Sequence, residues 1–140
     1  MKETNLKILF DSNVIIDAVS QREETNEDSK YLFLAAIEGK IEGYLVSKQI
    51  TDMYYVLRKY VDKVRRDSFI DFLLEYFHVL PLTASDLSYG LELELKDYED
   101  AVLCGVGLKN KLDYIVTNNI KDFNTDLVNA VLPKAIVNKL

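Results

Sequence analysis

The sequence predicts an α/β fold, a three-layer sandwich with a mostly parallel central sheet of about five strands. Two observations predict it. Short apolar runs that lack the alternation of a half-buried strand are typical of parallel strands covered on both faces. These runs alternate with longer stretches of helical periodicity, and right-handed crossovers then place helices on both faces of the sheet. A chain of 140 residues has the usual size of one domain, so we expect a single domain over residues 1–140.

Capping residues and apolar spacing define the elements of the first half of the chain. Ser47 and Asp62 are residue types that cap helix starts, and Gly39 is a typical helix stop. Apolar residues recur at three- and four-residue steps between these positions, as on the buried face of a helix. The predicted elements are a strand Leu6–Phe10, a helix Val14–Val19 capped by Ser12 or Asn13, a helix from Thr25 or Asn26 to Ile37, a strand Ile41–Val46, a helix after Ser47 and a helix Lys63–Phe77.

The second half of the chain continues the alternation. Thr83 is a helix-capping residue, and Pro133 suits the first position of a helix. Ala101, Gly105 and Gly107 are small residues that would let their helix pack closely on the sheet. The predicted elements are a strand His78–Leu82, a helix Ala84–Leu95, a helix Tyr98–Lys111, a strand Asp113–Thr117, a helical turn Ile120–Phe123, an edge strand Ala130–Leu132 and a helix Pro133–Leu140.

The charge of the chain argues against long-range attraction of nucleic acid. Its net charge is −6 at pH 7 and its pI is about 4.8, whereas phosphate binding normally relies on a basic surface. Basic residues gather in one place, which could supply a local nucleic-acid footprint. The more common role of such a run is a solvated connection between helices. The cluster consists of Arg58, Lys59, Lys63, Arg65 and Arg66.

Several chemistries are disfavoured by the residue inventory. A single cysteine, Cys104, and a single histidine, His78, exclude an internal disulfide and make a structural zinc site very unlikely. Both are interpreted as structural residues. Phosphate-binding loops of the GxxxxGK type are missing, and Tyr54, Tyr55 and Tyr98 fall in helical stripes that indicate core packing. Without a long apolar segment or a signal-peptide pattern, we expect a cytoplasmic protein.

Oxygen-bearing side chains at the predicted strand and helix ends are the main functional signal. Asp11 ends the first strand, Asn119 follows the strand Asp113–Thr117, and Asp97 and Asp100 begin a helix. Because ligands gather beyond the carboxyl ends of parallel strands, we expect these residues to meet, with Asp52 on a helix flank nearby. Carboxylates without basic partners repel one another, so the cluster predicts a site for a hard divalent cation. Taken singly, each residue is equally consistent with a cap, a turn or a solvated carboxylate.

Three motifs give the chain a resemblance to a known family. They are ILFDSNVIIDAV around Asp11, SKQITDMYYVLRK around Asp52, and DYEDAVLCGVGLKNKLDYIVTNNIKDF, which contains Asp97, Asp100 and Asn119. In order and spacing, the chain resembles the PIN-domain family, the fold of the toxin ribonucleases of VapBC toxin–antitoxin systems and of several RNA-processing endonucleases. The resemblance spans nearly the whole chain.

This resemblance implies hydrolysis of RNA phosphodiesters that depends on Mg²⁺ or Mn²⁺. It implies Asp11 and Asp100 as principal metal ligands, and Asp52 and Asp97 as supporting ligands or orienters of the attacking water. Asn119 is then an outer ligand, with Thr117 and Ser12 positioning these side chains through hydrogen bonds. The implied partners are an RNA substrate, an antitoxin protein and a second copy of the chain in a homodimer.

Two other function classes fit parts of the same sequence. A catalytically weak or inactive PIN-like module could act through nucleic-acid or protein binding, which the acidity of the chain and the neutral Asn119 favour. A phosphate-receiving domain of the response-regulator type also clusters aspartates at strand ends. That class requires a lysine at the end of a late strand, whereas Lys121 lies further along the chain, so it fits least well.

Overall fold

A five-stranded sheet forms the centre of the protein, whose computed structural model describes residues 5–20, 27–123 and 126–140. All four strand pairings are parallel, and the strand order is β3-β2-β1-β4-β5. The predicted α/β architecture with a parallel sheet is therefore confirmed. The strands are β1 Lys7–Phe10, β2 Glu42–Val46, β3 His78–Leu80, β4 Tyr114–Val116 and β5 Ala130–Val131.

Helices cover the sheet on two faces, and their bounds differ from the predicted bounds by a few residues. The predicted helices that end at Leu95 and Lys111 stop earlier, because Glu94 and Lys111 have φ of 53° and 55°, in the left-handed region that ends a helix. The predicted caps Thr25 and Asn26 lie outside the described residues. The helices are α1 Ser12–Val19, α2 Glu27–Ile37, α3 Ser47–Leu57, α4 Lys63–Tyr76, α5 Ala84–Glu92, α6 Tyr98–Lys109 and α7 Pro133–Val137, with a 3-10 turn at Ile120–Asp122.

Two apolar cores lie on the opposite faces of the sheet. Ile8 and Phe10 point into one, where Phe10 meets the ring of Phe77 edge to face at 5.4 Å between centroids. Leu9 points into the other and packs with Ile115 and Cys104. Every one of these side chains is buried, which explains why the first strand reads as a continuous apolar run. No helix among the described residues is long and apolar enough to cross a membrane.

Capping residues were predicted at five helix starts, and two of those within the described residues cap. Ser12 and Asn13 lie inside α1, whose N-cap position is Asp11, so that prediction was wrong. Asp62 and Thr83 cap α4 and α5 as predicted, since their side chains accept hydrogen bonds from the backbone N–H groups of the third helical residues. Ser47 does not cap α3. Its hydroxyl instead accepts a hydrogen bond from the backbone N–H of Leu82, 3.2 Å away, and the N-cap position is Val46.

The two glycines of α6 pack closely against two different elements. Gly107 lies against the sheet, where an added Cβ would be 3.5 Å from Ile115. Gly105 was expected to face the sheet as well, but it faces α5: a Cβ there would lie 2.9 Å from the ring of Tyr89. This prediction was wrong because the approach of α5 is not visible in the periodicity of α6.

Two tyrosines, one near the end of α3 and one at the start of α6, are more exposed than the sequence predicted. Tyr55 and Tyr98 were assigned to core packing, but they are 62% and 44% exposed. Tyr55 belongs to a continuous stretch of exposed aromatic, aliphatic and basic side chains. We name this stretch the α3–α4 surface, and define it as Tyr55, Val56, Arg58, Lys59, Tyr60, Val64 and Arg65.

Replacing Asp86 by asparagine is expected to destabilise the protein by about 1–2 kcal/mol at pH 7. Asp86 is only 2% exposed, accepts hydrogen bonds from Thr83 and is 2.9 Å from the Lys109 ammonium. Burial acts to raise the pKa of Asp86, but the bonds from Lys109 and Thr83 hold the pKa below its usual range. A lowered pKa contributes stability above the unfolded value of 3.8, and that stability is lost as the pH falls through the folded pKa.

Urea unfolding of both proteins at pH 7 and near pH 3 checks this expectation. The difference in the free energy of unfolding is expected to shrink below pH 3.8, because the unfolded chain then binds a proton at Asp86 that the folded protein, with its lowered pKa, binds less readily. Asp71→Asn, a change of the same type on the exposed side of α4, serves as the control. An equal loss in both variants would contradict a special role for Asp86.

Candidate metal centre

Strand pairing places Asp11 and Thr117 side by side at the carboxyl edge of the sheet. Phe10 of β1 is in register with Val116 of β4, and the backbone N–H of Asp11 donates to the carbonyl of Val116 at 2.9 Å. The buried Thr117 hydroxyl donates to Asp11 Oδ2 at 2.8 Å, and Asn13 Nδ2 donates to the same oxygen at 3.3 Å. Asp11 occupies the N-cap position of α1, yet its side chain makes no cap hydrogen bond. Side-chain hydrogen bonds from Thr117 and Asn13 hold its carboxylate instead.

Burial changes the protonation of Asp11. Desolvation raises the pKa of Asp11, the hydrogen bonds from Thr117 and from the backbone at Asn13 and Ser12 act in the opposite direction, and the nearby charge of Asp97 raises it further. A raised pKa in a half-buried carboxylate means that its ionised form lacks a compensating positive charge.

Asp97 and Asp100 lie together at the start of α6. Asp97 is the N-cap, and its Oδ1 accepts a hydrogen bond from the backbone N–H of Asp100 at 3.1 Å. Capping therefore accounts for part of the role of Asp97, as the sequence alone allowed. Asp100 sits in the first helical turn with its carboxylate facing Asp11 and Asp97 closely enough for their charges to act on it.

Asp100 is the most perturbed acid of this cluster. Desolvation by burial and then the charges of Asp11, Asp97, Asp122 and Glu99 raise the pKa of Asp100 from 3.8 to about 7. Repulsion of this kind is what a divalent cation relieves. Asp11, Asp97 and Asp100 thus lie near enough for the charges of the first two to act on the third, whereas their role as ligands stays a prediction.

Asp122 was missed by the sequence reasoning. It lies in the 3-10 turn Ile120–Asp122, and its charge acts on Asp100. The turn returns the chain toward α6 shortly after β4 ends at the site edge. An acidic residue so soon after that strand was the available signal, but the segment was interpreted only as a helical turn.

Asn119 has a less direct connection to the cluster than the aspartates. Its backbone N–H donates to the hydroxyl of Thr117 at 3.0 Å, and Thr117 in turn donates to Asp11. The Asn119 side chain is exposed and does not cap the following turn. The structure therefore ties Asn119 to the site through its backbone, and direct ligation by its side chain stays untested.

Asp52 lies in the same groove but is engaged by a lysine. Lys48 Nζ is 2.6 Å from Asp52 Oδ2, one turn away on α3, and 3.6 Å from Glu99 Oε1 on α6. The hydrogen bond to Asp52 is the main reason that the pKa of Lys48 is raised. Asp52 is thus brought near the cluster while its charge is balanced locally.

A groove of about 200 Å³ joins these side chains. Its polar lining comes from the end of β1, from α3 and from α6, and apolar side chains such as Val46 and Leu103 complete it. Lys48 is the basic residue of the lining. The polar residues are Asp11, Ser12, Lys48, Gln49, Asp52, Glu99 and Asp100.

The donor set fits a hard cation in its chemistry. Within the described parts of the chain, no three Asp, Glu, His or Cys side chains are arranged to coordinate an ion by themselves. Mg²⁺ commonly uses only one or two carboxylates and keeps several water ligands, so it does not require such a group. Asp11 and Asp100, which are oxygen donors with raised pKa values, are suited to that kind of binding.

Comparison with protein families gives one match over most of the chain. The family model of the PIN domain matches residues 7–121. None of the curated proteins compared with this sequence matches it significantly.

Solved structures with a similar fold include three from bacterial toxin–antitoxin systems. A toxin–antitoxin complex from Klebsiella pneumoniae aligns with a TM-score of 0.68 and 21% identity, covering 90% of this chain and 97% of that chain. VapBC2 from Rickettsia felis, bound to a DNA fragment from its promoter, aligns with a TM-score of 0.67 and 18% identity, covering 89% and 97%. VapC20 from Mycobacterium tuberculosis, a toxin that cleaves the sarcin-ricin loop, aligns with a TM-score of 0.63 and 12% identity, covering 86% and 92%. Identities this low show a shared fold.

Proposed function

Because this chain belongs to the PIN-domain family, we propose that it is an endoribonuclease that hydrolyses RNA phosphodiesters with the help of Mg²⁺ or Mn²⁺. The observation that carries the proposal is the meeting of Asp11, Asp97 and Asp100 at the carboxyl edge of the sheet. Burial, and then the charges of Asp11, Asp97 and other nearby acids, raise the pKa of Asp100 to about 7. Such a cluster is costly unless a cation or a proton occupies it.

Asp11 and Asp100 would hold the cation, with Asp97 and Asn119 as further oxygen donors. A cation bound there would neutralise charge on the phosphate and activate the attacking water. Thr117 and Asn13 fix the direction of the Asp11 carboxylate through hydrogen bonds of 2.8 and 3.3 Å. Asp97 holds the start of α6 through its cap, which fixes the position of Asp100.

Lys48 gives the groove a positive charge beside the carboxylates. Asp52 and Glu99 hold its ammonium between α3 and α6. A lysine in this place can bind a phosphate oxygen of the RNA as a compact point charge. We therefore assign Asp52 to the orientation of Lys48 or of water, and not to direct binding of the cation.

The biological setting is proposed from the fold of the relatives. The similar solved structures come from toxin–antitoxin complexes, which supports an antitoxin protein as the partner of this chain. A homodimer is proposed from the family resemblance alone. Purification of the chain together with the product of a neighbouring small reading frame, in a complex of defined stoichiometry, would support the toxin role.

RNA cleavage by the purified protein is the test of the proposed activity. We expect single-stranded RNA to be cut in the presence of Mn²⁺ and to stay intact in EDTA. Asp11→Asn is expected to lower the rate by at least about a hundredfold, more than the loss of an outer partner of a metal ligand commonly costs. Asp71→Asn, on the exposed side of α4, is expected to retain the native rate.

The same assay separates the enzyme from a binding module. An inactive module would bind RNA or its partner protein and leave RNA intact with Mn²⁺ and with Mg²⁺. Cleavage that persists at the native rate in Asp11→Asn, in protein free of contaminating nuclease, would contradict the assignment of the site.

A further inference from the structure

The α3–α4 surface combines exposed rings with a concentration of positive charge. Tyr55 is 62% exposed and Tyr60 is 75% exposed, as is Val64. Residues 58–66 contain five basic side chains and one acidic side chain, in a protein whose net charge is −6. Lys59 and Arg65 form no ion pair within the described residues. A strongly basic surface on an acidic protein indicates a negatively charged ligand.

Arginine side chains in this region already lie on tyrosine rings. The Arg58 guanidinium is 4.1 Å from the ring centroid of Tyr55, and the Arg66 guanidinium is 4.9 Å from that of Tyr54. The Tyr54 hydroxyl donates a hydrogen bond to Asp67, which also forms an ion pair with Lys63. These contacts hold the stack of Arg66 on Tyr54 in place. Nucleobases stack on the faces of both tyrosine and arginine. The Tyr55–Arg58 stack is therefore a suitable platform for an unpaired base.

Helix α3 connects this platform with the groove. Lys48, Asp52 and Val56 follow one another at four-residue steps, and such residues share one face of a helix. Lys48 and Asp52 line the groove, and Val56 lies roughly 6 Å further along the helix axis, at 1.5 Å per residue. Arg58 is the C-cap of α3, and Lys59 lies in the turn that directly follows. A strand whose phosphate is in the groove can thus extend along α3 onto the exposed surface.

We propose that the α3–α4 surface binds the single-stranded RNA segment that flanks the bond in the groove, with Tyr55 and Arg58 stacking a base and Lys59 and Arg65 contacting phosphates. The identity of the ligand rests on the proposed function. RNA suits this surface better than an apolar protein face does, because such a face would desolvate several cationic groups without pairing them.

Binding of a fluorescein-labelled single-stranded oligouridylate to the full chain in EDTA tests the proposal. Arg58→Glu with Lys59→Glu is expected to weaken binding by about tenfold or more. The slope of log affinity against log salt is expected to fall by about 0.7 for each phosphate that the variant no longer neutralises. The matched control is Lys40→Glu with Lys139→Glu, which changes the net charge equally. It lies at the opposite edge of the sheet, beside the starts of β2 and β4, and is expected to bind as the native protein does.

Two variants of Tyr55 separate stacking from apolar contact. Tyr55→Phe keeps a ring and is expected to keep the native affinity, whereas Tyr55→Leu keeps apolar area and is expected to weaken binding by about fivefold or more. Tyr55 is exposed, so neither change threatens the fold, and circular dichroism verifies this. In the cleavage assay, the double charge variant and Tyr55→Leu are expected to raise KM and leave kcat unchanged, whereas Tyr55→Phe is expected to keep the native KM.

Each outcome either supports or overturns the inference. Unchanged affinity in the double charge variant overturns it, as does a native protein that fails to bind the oligouridylate. Altered self-association or antitoxin binding with unchanged RNA affinity identifies a protein interface and also overturns it. RNA binding through this surface without cleavage would contradict the proposed enzyme and leave the binding surface intact. Cleavage by the native protein, together with unaltered RNA binding in all surface variants, would support the proposed enzyme and contradict the binding surface.

Discussion

Asp100→Asn is expected to abolish metal-dependent RNA cleavage and, in the absence of metal, to make the protein more stable above pH 7. The two effects have one cause, since Asp100 is desolvated and surrounded by Asp11, Asp97, Asp122 and Glu99, which raise its pKa to about 7. An amide keeps the shape of the carboxylate and removes the charge. Cation binding then loses one of its two principal carboxylates, while the folded protein loses a repulsion.

The sign of the stability change follows from the direction of the pKa shift. In the unfolded chain Asp100 ionises near its ordinary value of 3.8, whereas in the folded protein it holds its proton until about pH 7. Between these values the folded state binds more protons, so the stability of the native protein falls as the pH rises. After allowance for solvent screening, we expect Asp100→Asn to gain on the order of 1 kcal/mol at pH 8 in EDTA, and the gain to shrink toward pH 4.

Thermal unfolding with and without Mn²⁺ measures both effects without reference to activity. Mn²⁺ is expected to raise the Tm of the native protein, because a ligand that binds only the folded state stabilises it. The same addition is expected to leave the Tm of Asp100→Asn nearly unchanged. Asp71→Asn should respond to Mn²⁺ as the native protein does. A loss of stability in Asp100→Asn at pH 8 in EDTA would contradict the repulsion on which the site assignment depends.

Strand ends and helix starts explain why the sequence located much of the site. Asp11 follows three buried apolar residues of β1, and Asp97 and Asp100 lie at the start of a helix that packs on the sheet. Parallel topology brings such positions together whatever the details of packing. The fold class and the order of the elements were predictable for the same reason, because they follow from periodicity and capping residues.

Two of the three features that were not predicted depend on tertiary neighbours. Ser47 has the chemistry of a cap, but the backbone N–H of Leu82 takes its hydroxyl as acceptor. Asp52 has the position of a site carboxylate, but Lys48 one turn away balances its charge. Asp122 reaches Asp100 only because a short turn returns the chain toward α6. The contacts of Ser47 and Asp122 cannot be read from a single element, whereas the Lys48–Asp52 pair is an i,i+4 pair within α3 that was overlooked in the sequence.

Gln49 is the polar residue on which the relative position of β1 and α3 depends, although nothing in the periodicity of α3 distinguishes it. It is only 5% exposed. Its Oε1 accepts a hydrogen bond from the backbone N–H of Val46 at 2.7 Å. Its Nε2 donates to the carbonyl of Phe10 at 2.8 Å and to the hydroxyl of Ser12 at 3.1 Å. Both acceptors are next to Asp11, so the amide connects the helix that carries Lys48 with the strand that carries Asp11.

Gln49→Ala is therefore expected to lower the free energy of unfolding by roughly 3 kcal/mol, or about 10 °C in Tm, because it leaves buried backbone groups of Val46 and Phe10 unpaired. Cleavage at a temperature where the variant is folded should also fall, since Asp11 and Lys48 lose their shared support.

Gln49→Glu keeps the acceptor for Val46, but it removes the donor to Phe10 and buries a charge. It should therefore be at least as damaging at pH 7, and stability should recover in part at lower pH as the acid is protonated. Thr51→Ala, an exposed polar-to-alanine change on the same helix, should leave both properties nearly native. If Gln49→Ala has the same Tm and cleavage rate as Thr51→Ala, the hydrogen bonds of Gln49 do not hold the groove together. Apolar contacts between the sheet and α3 would then account for the position of Lys48 relative to Asp11.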